Sequence, residues 1–343
     1  MYYQIFKEYT LTLKKKFIYL ALALCLALAI PFSFAGCKKS DGKVIRINEV
    51  THSVFYAPLY LADALGYFKD EGFDIELSNG GGANKTMAAV LSGGADVGFC
   101  GPEAVIYTYL GGSDDCPKVF GQLTKRDGSF LVGREKEDNF DWNSLAGKKV
   151  LAGRPGGVPF MTFGYVCKDI DVEYITEVEF DSMTAAFDGG VGDCCTMFEP
   201  VASDFEAAGK GYIVASVGEE AGEIPYTCFM AKSSYIEKNG DVVEGLLRAI
   251  TKAVKYVNET DVDTLTDKLK GYFVGVSEES VKKSLESYIA IDAWVDDMAM
   301  RESAFNRLQD VIELAGELDK RVAFGDIVLT ETAKKVYNEV YSK

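Results

Sequence analysis

Histidine is nearly missing from this chain: among 343 residues there is one, His52. That scarcity excludes a His-rich metal site, and any Ser-His-Asp relay would have to run through His52 alone. No G-x-S-x-G elbow, no P-loop and no H-E-x-x-H stands anywhere in the sequence, so the commonest hydrolase, nucleotide and zinc-protease signatures are absent. Basic residues are also in deficit, 36 Lys and Arg against 52 Asp and Glu, for a net charge of −16. Such a surface repels nucleic acid and anionic lipid head groups at long range, while leaving open an anionic small ligand at a local site. No tandem repeat is visible. What the chain does have is 48% apolar and 12% aromatic residues, the composition of a globular protein with room for two domains.

The N-terminal segment carries the most informative residue, Cys37. Lys14, Lys15 and Lys16 form a basic start, an apolar run covers 17–30, and the segment closes on Phe34-Ala35-Gly36-Cys37. A basic region, an apolar region and small residues before a cleavage point read as a secretory signal peptide. A Cys directly after small residues resembles the lipobox of bacterial lipoproteins, whose new N-terminal Cys is lipidated; Phe34 stands where that motif usually has Leu. An uncleaved anchor and an ordinary secreted chain with Cys37 free are the alternatives, and all three place the rest outside the cytoplasm. The reading is therefore a signal peptide over 1–36 and a polar tether over 37–43.

Six further cysteines remain besides Cys25 and Cys37: Cys100, Cys116, Cys167, Cys194, Cys195 and Cys228. They show no C-x-x-C spacing, and the adjacent pair Cys194-Cys195 is poorly placed to bridge itself. Most lie in apolar segments, where a free thiol behaves as a small hydrophobe. Unpaired thiols in an exported chain point to a reducing or anaerobic setting.

From residue 44 onward, strand-like and helix-like segments alternate. Strands are expected at 44–50, 73–77, 96–100, 119–123 and 130–133, and in a second block at 149–152, within 172–180, at 194–198, 212–217 and 226–231. A helix is expected over 58–68, others follow Asn84 and Gly101-Pro102, and the chain after 236 is almost wholly helical. Alternation of this kind predicts α/β architecture with parallel sheets and helices on both faces. Two blocks predict two lobes, 44–126 plus 228–343 and 127–227.

In open α/β sheets ligands bind beyond the carboxyl ends of the strands. That rule selects four loops and one further position. The first loop supplies His52, Ser53, Phe55 and Tyr56. Cys100 and Glu103 follow the third strand. Arg154, Gly156 and Gly157 follow the first strand of the second block, and Glu199 follows its third. Tyr226 stands before a return strand. Each has a plainer reading beside it. His52 can be a hydrogen-bonded loop residue. Gly156-Gly157 can be a tight turn or an oxyanion cradle. Glu103 and Glu199 can serve the starts of their own helices. Arg126 and Arg154 can be surface charges, and Trp294 can pack between helices.

The runs "NEVTHSVFYAPLYLADALGYFKDEGFDIEL", "LSGGADVGFCGPEA", "LAGKKVLAGRPGG" and "GDCCTMFEPVASDFEAAGKGYIVASVG" resemble the solute-binding proteins of ABC importers, within the group that binds sulfonates or thiamine pyrimidine precursors. The resemblance spans residues 44–330. It implies a type II periplasmic-binding fold, two Rossmann-like lobes joined by two crossing strands with a helical C-terminal tail. It also implies a monomer without cofactor or nucleic-acid partner, held by lipid on the outer face of the cell membrane and delivering a small molecule to an ABC permease. Members bind sulfonates, nitrate, taurine, riboflavin-like rings or pyrimidine precursors. A carboxylate can pair with a protonated 4-aminopyrimidine through two hydrogen bonds; Glu199 is the expected partner, with Tyr56, Phe55 and Tyr226 stacking on the ring. A sulfonate would instead use the Gly156-Gly157 amides with Arg154 or Arg126. The heterocycle is the preferred expectation. The rival is an enzyme: Cys194-Cys195-Thr196-Met197-Phe198 faintly echoes the cysteine-rich motif of related pyrimidine synthases, which use pyridoxal phosphate and a reactive histidine.

Overall fold

The computed structural model describes residues 43–342. The segment 1–36 and the Cys37 site lie outside the described residues. Two five-stranded sheets organise the chain. The first contains β1 (Lys43–Glu49), β2 (Phe73–Asn79), β3 (Val97–Cys100) and β4 (Pro117–Thr124). The second contains β5 (Ser129–Gly133), β6 (Lys149–Leu151), β7 (Glu173–Tyr174), β8 (Cys194–Phe198) and β9 (Tyr212–Ser216). The chain then returns, and β10 (Thr227–Lys232) enters the first sheet. The orders are β2-β1-β3-β10-β4 and β7-β6-β8-β5-β9.

Neither sheet is purely parallel, contrary to the expectation from alternation. β10 runs antiparallel to β3 and β4, and β5 runs antiparallel to β8 and β9. The cause lies in the connection. Only residues 125–128 separate β4 from β5, too few for the crossover of a dozen or more that a parallel neighbour requires. The strand therefore passes into the other sheet, against the direction of its neighbours there. The remaining pairs, β1 with β2 and β3, and β6 with β7 and β8, are parallel.

Local sequence explains most elements. β1 is an inner strand between β2 and β3, and Ile45 and Ile47 are completely buried. The expected helix over 58–68 is two pieces, Ala57–Ala64 and Tyr67–Asp70. Gly66 between them has φ +78°, a left-handed conformation that glycine adopts without a Cβ penalty, so the helix ends and restarts. The strand expected within 172–180 shrinks to the two residues of β7, and Phe180–Ser182 is a 3-10 turn.

The helix Gly240–Glu259 buries Val242, Val243, Leu246, Leu247, Ile250, Val254 and Val257, an i, i+3, i+4 stripe. Each such side chain contributes about 1.5–3 kcal/mol on leaving water. This stripe packs on Ala57–Ala64 and on Glu331–Tyr341. The tail also reaches helices of the second sheet: Glu278–Ala290 packs on Val201–Ala207, and Glu302–Leu314 on Val158–Val166. Between those two helices the chain runs beside β4, where Ala293 and Met298 carbonyls accept from the Lys125 and Gln122 N–H groups at 2.9 and 2.8 Å. All six described cysteines are free, five of them buried. Among the described residues no helix is long and apolar enough to cross a membrane.

Candidate functional site

A narrow cleft lies where carboxyl ends of strands from both sheets face each other. The first sheet contributes Val50 and Thr51 after β1, Gly82 and Ala83 after β2, Gly101 and Glu103 after β3. The second contributes Arg154, Gly157, Val158 and Pro159 after β6, and Phe198 at the end of β8. Tyr56, Phe180, Tyr226 and Thr227 complete the lining.

Aromatic rings form one wall. The Phe180 ring meets Phe198 edge-on at 6.1 Å, Phe198 and Tyr226 lie 6.2 Å apart, and Tyr56 meets Phe99 edge-on at 4.5 Å. Such a wall suits a planar, polarisable ligand face. The opposite character comes from three helix starts. Ala83–Ser92, Glu103–Leu110 and Val158–Val166 all begin at the cleft, and their N-cap residues Gly82, Pro102 and Gly157 give no side-chain cap. The positive ends of these helix dipoles therefore lie at the cleft, and at two of the three starts the Glu103 carboxyl takes the N–H groups of Glu103, Ala104 and Val158.

Glu103 is the only carboxylate among the lining residues. Its side chain is 2% exposed, and Oε2 is buried with no hydrogen-bond partner among the described residues. Burial pushes its carboxyl up to about 7; the backbone N–H groups of Glu103, Val158 and Ala104 and the Arg154 charge oppose that rise. A carboxyl poised near neutrality can switch between donor and acceptor when a ligand arrives. The close fit extends to Gly101, where a Cβ would stand 2.0 Å from Glu103 Oε2.

The structure brings together Tyr56, Glu103, Arg154, Gly157 and Tyr226 of the residues that the strand-end rule selects. Gly156 lies on an adjoining groove with Glu103 and Arg154. The others sit elsewhere. His52 holds Glu49 Oε1 through Nδ1 at 2.8 Å and the Tyr272 carbonyl through Nε2 at 2.9 Å. Ser53 caps its own 3-10 turn and donates to the Glu199 carbonyl. Phe55 and Cys100 are completely buried; the Phe55 carbonyl accepts from Trp294 Nε1 at 2.8 Å, and Cys100 Sγ rests 3.6 Å from Met230 Sδ.

Glu199 is also completely buried. Its Oε2 accepts from the Ser203 N–H at 2.8 Å and its Oε1 from Ser203 Oγ at 2.7 Å. It serves the first turn of its own helix, and its neighbour Phe198 is the strand end that reaches the cleft. Phe180 was not foreseeable, because the turn that carries it has no strand or helix periodicity. Gly82-Ala83 had a signal in the sequence, a helix start shortly after a strand end.

The cysteine pair shows no sign of reactivity. Cys194 and Cys195 are buried in β8, and burial pushes the Cys194 thiol up to about 11 and the Cys195 thiol further. A catalytic thiol needs the opposite shift. Among the described residues no group of three or more His, Cys, Asp or Glu is arranged to hold a metal.

The family profile described as "NMT1/THI5 like" matches residues 54–261. The chain belongs to this family. It is 40% identical over 317 residues to the putative binding protein YtlA of Bacillus subtilis, covering 90% of this chain and 94% of that one. It is 26% identical over 220 residues to the 4-amino-5-hydroxymethyl-2-methylpyrimidine phosphate synthase of Aspergillus parasiticus, covering 59% and 63%. Among solved structures, the ligand-binding component of an ABC-type import system from Staphylococcus aureus, with zinc bound, superposes with a TM-score of 0.69 at 16% identity, covering 86% of this chain and 99% of that one. That likeness shows the fold, a periplasmic-binding architecture of two α/β lobes with a helical C-terminal region.

Proposed function

We propose that this protein is the extracytoplasmic solute-binding component of an ABC importer, held at the membrane by lipid on Cys37 once residues 1–36 are removed. Its lobes, 44–126 plus 228–343 and 127–227, close on a small molecule about the two chain crossings between the sheets and hand it to the permease. The protein binds and does not catalyse. The reading is supported by the YtlA relationship over nearly the whole of both chains, by the import-system fold, and by a cleft whose titratable groups form no nucleophile–base pair.

The ligand is a neutral or cationic heterocycle of the 4-aminopyrimidine type. The observation that carries this is the buried, half-unpartnered Glu103 carboxylate beside an aromatic wall. Glu103 takes the role that the sequence suggested for Glu199. The ring's amino group and protonated nitrogen would pair with the carboxylate, and Tyr56, Phe198 and Tyr226 would cover its faces.

A second reading rests on Arg154 and the helix start at Ala83, whose N-cap Gly82 gives no side-chain cap; together these would suit a sulfonate or nitrate. A thermal-shift panel of aminopyrimidines, thiamine, riboflavin, alkanesulfonates, taurine and nitrate, with native mass spectrometry of gently purified protein, separates the two. Stabilisation by an aminopyrimidine that Glu103→Gln removes is the expected result. Stabilisation by sulfonates alone, lost in Arg154→Ala and kept in Glu103→Gln, would transfer the protein to anion import.

A further inference from the structure

Glu103 is a wall of two spaces. A second, open groove adjoins the cleft and shares Ala83, Glu103 and Arg154 with it as walls. Its sides are two helices. Met87 and Leu91 stand on the face of Ala83–Ser92 that begins at Ala83, at successive four-residue steps, and Ala104, Tyr107 and Thr108 stand on Glu103–Leu110. Spacing of four residues places side chains in line along a helix, so the groove has a continuous floor rather than isolated dimples. Arg154 and Gly156 after β6 also line it. Leu91 is a large apolar side chain left 36% exposed, while Met87 is buried at 5%.

We infer that the ligand is elongated, with a planar head in the aromatic cleft and a short, largely apolar arm that passes Glu103 and Arg154 into this groove. The inference rests on the binding reading above and adds to it the shape of the ligand. Two features support it. Glu103 and Arg154 line both spaces, so the carboxylate that holds the ring stands beside a guanidinium that a polar linking group such as an amide or hydroxymethyl would meet. Beyond that point the groove changes to methionine, leucine, alanine and tyrosine carbon, which rewards methylene groups. A compact ion such as nitrate would leave the groove unused.

The test is a pair of homologous series titrated into the full chain by calorimetry: 4-aminopyrimidines bearing ring substituents from hydrogen to butyl through an amide link, and alkanesulfonates from methyl to hexyl. Each methylene that enters the groove should tighten binding about fourfold. Ala88→Trp, at an exposed position on the groove wall, should abolish that gain and leave the unsubstituted ring unchanged. Pyrimidines that bind with no dependence on arm length would overturn the inference and leave the head-group reading standing. Sulfonates that bind with a length dependence lost in Ala88→Trp would do the reverse. If neither series binds, both fail.

Discussion

The ring of Phe55 fills the space a side chain on Gly128 would need: a Cβ built on Gly128 stands 2.7 Å from three Phe55 ring carbons. Gly128 belongs to the four-residue passage between the sheets, and Phe55 follows β1. The same passage is fixed from a third direction, since the Gly128 carbonyl accepts from the Tyr288 hydroxyl at 3.1 Å. Gly128→Ala should therefore overpack the junction and destabilise the protein by about 1–3 kcal/mol. Urea denaturation measures it. A midpoint within error of the parent would mean that Phe55 can move aside and the junction is softer than this contact implies.

His52 gives a pH dependence that one residue can report. The hydrogen bond to Glu49 is the largest cause raising its pKa above the ordinary value, burial opposes it, and the Tyr272 carbonyl adds to the rise. A raised folded pKa means that the protonated ring is favoured in the folded state. Its stabilising contribution is complete below the unfolded value of about 6.5 and is lost as pH rises through the folded one. The melting temperature of His52→Gln should fall furthest below the parent in mildly acidic solution, and the gap should close above the folded pKa. With one histidine in the chain, a proton NMR titration reads that pKa directly; a value at or below 6.5 would remove the effect.

How much of this was legible in the sequence depended on which atoms each residue type puts where. Ten strands and the long amphipathic helix Gly240–Glu259 follow from periodicity and from glycine and proline punctuation, which are properties of the backbone. The antiparallel strand in each sheet does not, because periodicity is blind to direction; only the shortness of 125–128 hints at it. At the cleft the strand-end rule selects loops that reach it, though not always the residue within each loop that lines it. Phe198 and Glu199 are adjacent, and in a strand adjacent side chains point to opposite faces. One of the pair had to be turned away from the cleft. A carboxylate at a strand end is the more conspicuous letter, yet Ser203 one turn on is what its oxygens meet.

That geometry makes Glu199 a stability residue. Glu199→Ala removes the acceptor for the Ser203 N–H and hydroxyl, both buried. Unmade buried hydrogen bonds cost about 1–3 kcal/mol each, partly relieved where water can enter. The variant should unfold at lower urea concentration, while the ligand affinity of the protein that remains folded stays within about threefold of the parent. A hundredfold loss of affinity with unchanged stability would return Glu199 to the ligand.

Glu103 behaves in the opposite way. Desolvation lifts its carboxyl from 4.5 to about 7, so the folded state holds a proton that the unfolded chain has released. Its contribution is present below the unfolded value and is lost as pH rises through about 7, on the order of 3 kcal/mol over the whole window. Asp127, buried at the junction with Ser129 as partner, is likewise lifted to about 7 by burial and adds a loss of the same sign. Ligand-free stability should therefore decline between pH 5 and 8, and Glu103→Gln and Asp127→Asn should each flatten the decline. Ligand separates the two carboxyls. A cationic ring stabilises ionised Glu103, so saturating ligand should restore stability at pH 8 in the parent and in Asp127→Asn but not in Glu103→Gln. Equal rescue of all three would show that the ligand does not meet Glu103, and the head group would have to be sought on Arg154.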